Sequence, residues 1–239
     1  MTNLGAPLSL FDHPYNALVV GASGAIGGAF VEAFQSDAHC VHVATVSRTH
    51  TPGFDLLREE SIAAQAAALK AHAPFHVIID ATGALTIDGV GPEKALSQLN
   101  AEALMRQFQT NTIGPALLMR HFAPLLATGP AIYAKLSARV GSISNNKKGG
   151  WYGYRASKAA LNMVLQTAAI ELQRKRPELR VVALQPGTVK SGLSAPFVPS
   201  APYLLAPSDS VSGLLAALKG LDAKAGAHYI DYQGAEIAW

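Results

Sequence analysis

Apolar positions along this chain fall into short unbroken runs, separated by longer stretches of helical periodicity. Residues 17–20, 41–46, 76–80, 131–136, 180–185 and 228–231 are runs of four to six mostly apolar residues. Runs of that length without alternation read as strands covered on both faces. Residues 26–34, 59–71, 96–126, 152–176 and 208–221 carry helical patterns between them. Ser61 or a neighbouring acidic residue is expected at the start of the second helix. Pro115 and Pro124 interrupt the third, Pro177 closes the fourth, and Ser208 or Asp209 caps the last. Strands that alternate with helices of this length need crossover connections, which produce βαβ units and a parallel sheet. The expectation is an α/β fold: one domain over residues 1–239, a doubly wound parallel sheet (Rossmann) of six or seven strands with helices on both faces. Ligands bind such sheets beyond the carboxyl ends of the strands. That places the turns after Val20, Val46, Asp80, Leu136 and Gln185 at one rim. Residues 191–207, with four prolines, break both patterns and read as a substrate lid loop.

Composition narrows the function classes. Of 239 residues, 49% are hydrophobic and 15% charged, which argues against disorder. The net charge is only +3. The basic runs Lys147-Lys148 and Arg174-Lys175-Arg176 have no interleaved aromatics, so they read as solvated faces and no nucleic-acid partner is expected. Cys40 stands alone, so an intrachain disulfide and a cysteine-based zinc site are ruled out. The eight histidines show no metal-ligand spacing. Residues 1–16 lack the basic and apolar regions of a secretory signal, and no apolar run is long enough to span a bilayer. A cytoplasmic location is the expectation.

Two segments carry candidate chemistry. The turn Gly21-Ala22-Ser23-Gly24-Ala25-Ile26-Gly27-Gly28 directly follows a strand and opens a helix. Glycines there allow a tight bend, close approach to phosphate and helix-on-strand packing, and the free N–H groups of the first helical turn attract an anion. The turn therefore reads as a dinucleotide cradle, with Gly21, Ser23, Gly24, Ile26 and Gly27 as contacts. The second strand ends in Ser47-Arg48-Thr49, where an acidic residue would read a ribose 2′-hydroxyl. Arg48 instead suits a 2′-phosphate, so NADP(H) is expected over NAD(H). Tyr154 and Lys158 stand four apart in a helical pattern and share a face. An ammonium beside a phenol favours the phenolate, and a tyrosine so tuned can exchange a proton with an alkoxide.

These segments together resemble the short-chain dehydrogenase/reductase family, classical short type, over nearly the whole chain. The resemblance implies that Tyr154 is the acid/base, that Lys158 tunes it and holds the nicotinamide ribose, and that Asn111 supports a water in a proton relay. It also implies that Pro186, Gly187 and Val189 meet the nicotinamide, with Ser191 where the family often has threonine. Asp55 and Leu56 would contact adenine, and Gly83 ends the family's Asn-Asn-Ala-Gly segment. The runs Arg139-Val140-Gly141-Ser142-Ile143, Gly149-Gly150-Trp151-Tyr152 and Arg155-Ala156-Ser157-Lys158 resemble the C-factor-like, or sniffer-like, branch. Three departures stand out. The glycines are spaced as in the family's extended type, although the chain lacks the length of those sugar-nucleotide enzymes. Asp80-Ala81-Thr82 replaces the asparagines before Gly83. The usual serine pair after the fifth family strand is Ser137-Ala138, so the catalytic hydroxyl falls to Ser142 or Ser137, with Ser142 favoured. The implied activity is hydride transfer between NADP(H) and a carbonyl or alcohol. The apolar lid suggests an uncharged, partly hydrophobic substrate, and Trp151 and Tyr152 serve either the pocket wall or packing. A catalytically weak nucleotide-binding signalling scaffold is the alternative, with a sugar-nucleotide epimerase or dehydratase behind it. Relatives of this kind pair as homodimers or homotetramers.

Overall fold

The computed structural model describes residues 9–192, 194–195, 197 and 204–239. Leu193, Pro196, Pro199, Pro202 and Tyr203 of the expected lid lie outside the described residues. Six strands form one sheet: β1 (Tyr15–Val20), β2 (Cys40–Val46), β3 (Val77–Asp80), β4 (Ala131–Leu136), β5 (Leu179–Gln185) and β6 (His228–Asp231). All neighbours pair in parallel, in the order β2-β1-β3-β4-β5-β6. This is the doubly wound arrangement expected from the strand and helix patterns, at the lower of the two strand counts. The chain goes outward from β1 to β2, returns to the other side of β1 at β3, and then builds outward again. The reversal between β1 and β3 opens a crevice at the carboxyl rim.

Alternation along the strands divides the core into two layers. Leu18, Val20, Ile78, Tyr133 and Val181 pack under α2 (Glu59–Leu69), α4 (Gly114–Phe122) and α5 (Tyr152–Gln173). Ala17, Val19, Ile79, Ile132 and Val182 pack under α1 (Ala25–Gln35) and α6 (Pro207–Lys219). Burial of these runs on both faces explains why they show no polar alternation.

The stretch expected as one interrupted helix over 96–126 is several pieces. A short turn over Leu96–Gln98 precedes α3 (Ala101–Phe108), whose cap Asn100 accepts from the N–H groups of Glu102 and Ala103. A π-helical turn, Gln109–Ile113, then leads into α4, with Pro115 in the first turn of α4, where its missing N–H is harmless. Helix α6 begins at Pro207 behind Ala206, so neither Ser208 nor Asp209 is its cap. Helix α2 begins behind Arg58 with no side-chain cap, while the Ser61 hydroxyl donates to the Asp55 carbonyl at 2.6 Å.

Candidate active site

The turn after β1 is shaped by two obligatory glycines. Gly21 has φ +83°, and a Cβ there would lie 2.9 Å from the Ala81 carbonyl carbon. A Cβ on Gly27 would overlap the Gly21 carbonyl oxygen. Gly24 stands at the cap of α1, where no side chain accepts from the first-turn N–H groups and no acidic residue occupies the first turn. An uncapped helix N-terminus with a positive dipole end suits an anion. Ser23, Gly24, Ile26 and Gly27 line a cavity of about 600 Å³ at the sheet rim.

The far wall of that cavity comes from α5 and the turns after β3, β4 and β5. Tyr154 and Lys158 both line it and both are buried, at 8% and 3% exposure. The Lys158 Nζ lies 5.7 Å from the Tyr154 ring centroid and donates to the Leu136 carbonyl at 3.2 Å. Burial, with Lys135 adding repulsion and Asp80 opposing it, pushes Lys158 down to about 7. Burial, with a smaller contribution from Tyr229, pushes the Tyr154 phenol above its ordinary range. The shift runs opposite to the acidification expected from Lys158, because burial disfavours the phenolate.

Gly83, with φ +133°, fits between two of the expected residues. A Cβ there would stand 3.0 Å from Asn111 Oδ1 and 3.3 Å from Lys158 Nζ. Asn111 is fully buried behind it. Its Oδ1 accepts from the Ala84 N–H at 2.9 Å, and its Nδ2 donates to the Ala84 carbonyl at 2.8 Å and to Gln107 Oε1 at 2.7 Å. Its side chain is thus committed to holding the Gly83 turn. Its main-chain carbonyl loses the α-helical donor four residues on, because Pro115 has no N–H. After β5, Pro186, Gly187, Val189 and Ser191 also line the cavity.

The two candidate serines differ in what they bond and in whether they reach the cavity. Pairing continues one residue past β4, with the Ser137 N–H donating to the Leu184 carbonyl at 2.8 Å. Ser137 reaches the cavity, but its hydroxyl donates to Asn162 Oδ1 of α5 at 2.6 Å. Ala138, which has no hydroxyl, also lines the cavity. Ser142 is 1% exposed and is not among the lining residues. Its hydroxyl donates to the Ala238 carbonyl and accepts from the Asn145 N–H, so it ties the turn after β4 to the last residues of the chain. The structure does not bring Ser142 to Tyr154.

Arg48, Asp55 and Leu56 also lie off the cavity wall. Arg48 is exposed on the turn after β2, and the neighbouring Thr49 hydroxyl donates to Ser23 Oγ at 3.3 Å, which sets this turn against the glycine turn. Asp55 accepts from the Leu57 N–H, and Leu56 packs against Gly114.

Three further groups shape the site. Arg139 lines the cavity and pairs with Asp231 at the end of β6 at 2.6 Å, while its N–H donates to Gln185 Oε1. Glu93 caps α5 from outside, accepting from the Gly153 N–H at 3.0 Å and the Trp151 N–H. Lys135 is fully buried in β4 beside Asp80. A lysine inside the apolar run 131–136, one position before its end, was a visible signal for the last; Glu93 and Arg139 had none.

Comparison with known proteins places this geometry. Residues 15–201 match the family described as short chain dehydrogenase. A 1-hydroxy-2-glutathionyl-2-methyl-3-butene dehydrogenase from a Rhodococcus strain is 31% identical over 202 residues, 82% of this chain and 83% of that protein. C-signal of Myxococcus xanthus is 37% identical over 147 residues, 61% of this chain and 84% of that one. Among solved structures, an NADPH-bound carbonyl reductase from chicken fatty liver superposes with a TM-score of 0.79 at 21% identity, covering 95% of each chain. Carbonyl reductase Sniffer of Drosophila melanogaster superposes with a TM-score of 0.78 at 20% identity, covering 95% of this chain and 100% of that one. The C-signal match accords with the branch resemblance read from the runs around Ser142 and Tyr154. No described helix is long and apolar enough to cross a membrane.

Proposed function

The chain belongs to the short-chain dehydrogenase family, and from that premise we propose that it interconverts a carbonyl and an alcohol with NADP(H), with Tyr154 exchanging the proton. One observation carries the reading: Tyr154 and Lys158 face the same cavity as the uncapped start of α1. The residues present fit a dinucleotide. Gly21 and Gly27 keep the cradle open where any Cβ would collide, and the free N–H groups beyond Gly24 suit a pyrophosphate. Arg48, on a turn set against that cradle, suits a 2′-phosphate. Lys158 suits the nicotinamide ribose, and the Pro186–Val189 backbone suits the carboxamide. When bound, the nicotinamide supplies a hydride to the substrate carbon or takes one from it.

The protein's own contribution is proton delivery and position. In the reducing direction the Tyr154 hydroxyl gives its proton to the carbonyl oxygen as an alkoxide develops there; in the oxidising direction it takes that proton back. A phenol kept neutral by burial is already in the donor form. Lys158, poised near neutrality, can carry the replacement proton toward Tyr154, with Asn111 supporting a water on that route. Leu85, Val140, Trp151 and Phe197 give the open side of the cavity an apolar lining suited to an uncharged, partly hydrophobic substrate. Tyr154→Phe is expected to lower turnover by about 10²–10⁴-fold while nucleotide affinity stays unchanged. Turnover at the wild-type rate in that variant refutes the assignment.

Ala138 favours a second reading. A methyl where a hydroxyl would orient the substrate oxygen is compatible with a nucleotide-binding protein of weak activity and signalling use. Tight nucleotide binding without cofactor oxidation by any of a panel of ketones and aldehydes would establish it.

A further inference from the structure

The centre of the sheet holds a charge cluster that the proton exchange described above does not use. Asp80 and Lys135 are register partners across β3 and β4, and their side chains are 0% and 1% exposed. Lys135 Nζ donates to Asp80 Oδ1 at 3.0 Å, to the Thr82 carbonyl at 2.6 Å and to Thr82 Oγ1 at 3.0 Å. Asp80 Oδ1 also accepts from the Thr82 N–H at 2.9 Å and hydroxyl at 2.6 Å, while Asp80 Oδ2 finds no donor among the described residues. Thr82 and Gly83 form part of the cavity wall. Lys158 approaches the same strip from the other side, with its Nζ against Gly83 and bonded to the carbonyl of Leu136, the residue after Lys135. Two ammonium groups and one carboxylate, all on buried side chains, therefore stand around Thr82 and Gly83.

A buried ion pair is weak evidence for stability, since desolvation offsets most of its attraction. Charges so buried do act on one another strongly, because little water screens them. We propose that Lys135 and Asp80 act as a tuning pair, in which Lys135 disfavours and Asp80 favours the proton on Lys158, and so set how readily Lys158 releases and regains it. The inference rests on the reading of Lys158 as the partner of Tyr154; Lys135 touches neither substrate nor cofactor and works only through Lys158.

The remaining groups facing Lys158 leave this assignment in place. From α5, Tyr154 is held neutral by burial. Tyr229 of β6 bears on Tyr154, and its own phenol is pushed up to about 12 by burial. Tyr133, on the same face of β4 as Lys135, is pushed well above its ordinary range by burial and by the Asp80 charge. From the π-helical turn, Asn111 is uncharged, and Arg139 is neutralised by Asp231. Among the described residues, Lys135 and Asp80 are the groups whose charges act directly on Lys158.

The test is a lysine side-chain NMR titration of the protein without nucleotide, with the Lys158 signal assigned by its loss in Lys158→Met. The wild-type midpoint is expected at about 7. Lys135→Met should move it up and Asp80→Asn should move it down, since one removes a repelling charge and the other an attracting one. The double variant Asp80→Asn/Lys135→Met leaves no orphan charge, and it decides the matter if Lys135→Met does not fold. Its midpoint should lie above that of Asp80→Asn, because the repelling Lys135 charge is gone as well. The pH profile of kcat/KM should move with the NMR midpoint. A merely structural pair would lower the rate without moving either. A double-variant midpoint no higher than that of Asp80→Asn, or single-variant midpoints that move the same way, overturn the proposal. Opposite shifts together with an active Tyr154→Phe would retain the charge coupling and remove the catalytic reading instead.

Discussion

The turn after β1 and the turn after β4 meet the same cavity but are built from opposite materials. The first is a backbone object. Gly21 and Gly27 matter for what they lack, and nothing outside the turn is needed to explain them beyond the Ala81 backbone. The second is a side-chain object. Ser137 is held by Asn162, Ser142 by Ala238, and Arg139 by Gln185 and Asp231, all from segments distant in sequence. The difference teaches that a missing Cβ has one local consequence, whereas a hydroxyl has as many uses as it has neighbours. A motif made of glycines is therefore readable in a way that a motif made of serines is not.

Gly27→Ala should have the largest effect on the turn after β1. The added methyl overlaps the Gly21 carbonyl oxygen inside the turn, so the expected outcome is loss of measurable nucleotide binding by fluorescence titration and a lowered Tm. Its neighbour supplies the control. A Cβ on Gly28 meets only the Ala22 carbonyl oxygen, at 3.5 Å, so Gly28→Ala should bind normally and gain about 0.5–1 kcal/mol from the lower entropy of the unfolded chain. Equal effects of the two substitutions would show that the turn is not a steric device.

Arg48→Ala probes the rim beside the same turn, with a smaller effect. Loss of one exposed charge-assisted contact to a 2′-phosphate should weaken NADPH binding by about tenfold, on the order of 1.4 kcal/mol, and leave NADH binding unchanged. Equal weakening of both nucleotides would remove the 2′-phosphate role.

Ser142→Ala is the smallest catalytic perturbation expected and the most telling for the turn after β4. Its hydroxyl serves the Ala238 carbonyl, so the variant should lose about 1–3 kcal/mol of stability in urea unfolding and keep kcat within about threefold. A loss of kcat by two orders of magnitude or more with unchanged stability would return Ser142 to the catalytic centre.

Much of this was legible beforehand because it depends on periodicity and on spacing within single elements. Buried parallel strands write themselves as unbroken apolar runs, and the four-residue step from Tyr154 to Lys158 puts both on one helix face in any fold. The pieces of 96–126 were less legible, because a π-helical turn and an α-helix share nearly the same apolar pattern. The direction of the Tyr154 shift could not be read either, since a sequence shows that a cation is near without showing how dry the site is.

The doubly wound sheet, the tight turn at Gly21 and Gly27, the shared helix face of Tyr154 and Lys158 and the resemblance to the family all follow from local patterns along the chain. Folding is what brings the Ser142 hydroxyl to Ala238, Ala138 to the cavity wall, and Lys135 into burial beside Asp80 and Lys158. The physical reason is that hydrogen bonds and charges take their meaning from what lies within a few ångströms, and in a parallel sheet those neighbours come from strands dozens of residues apart.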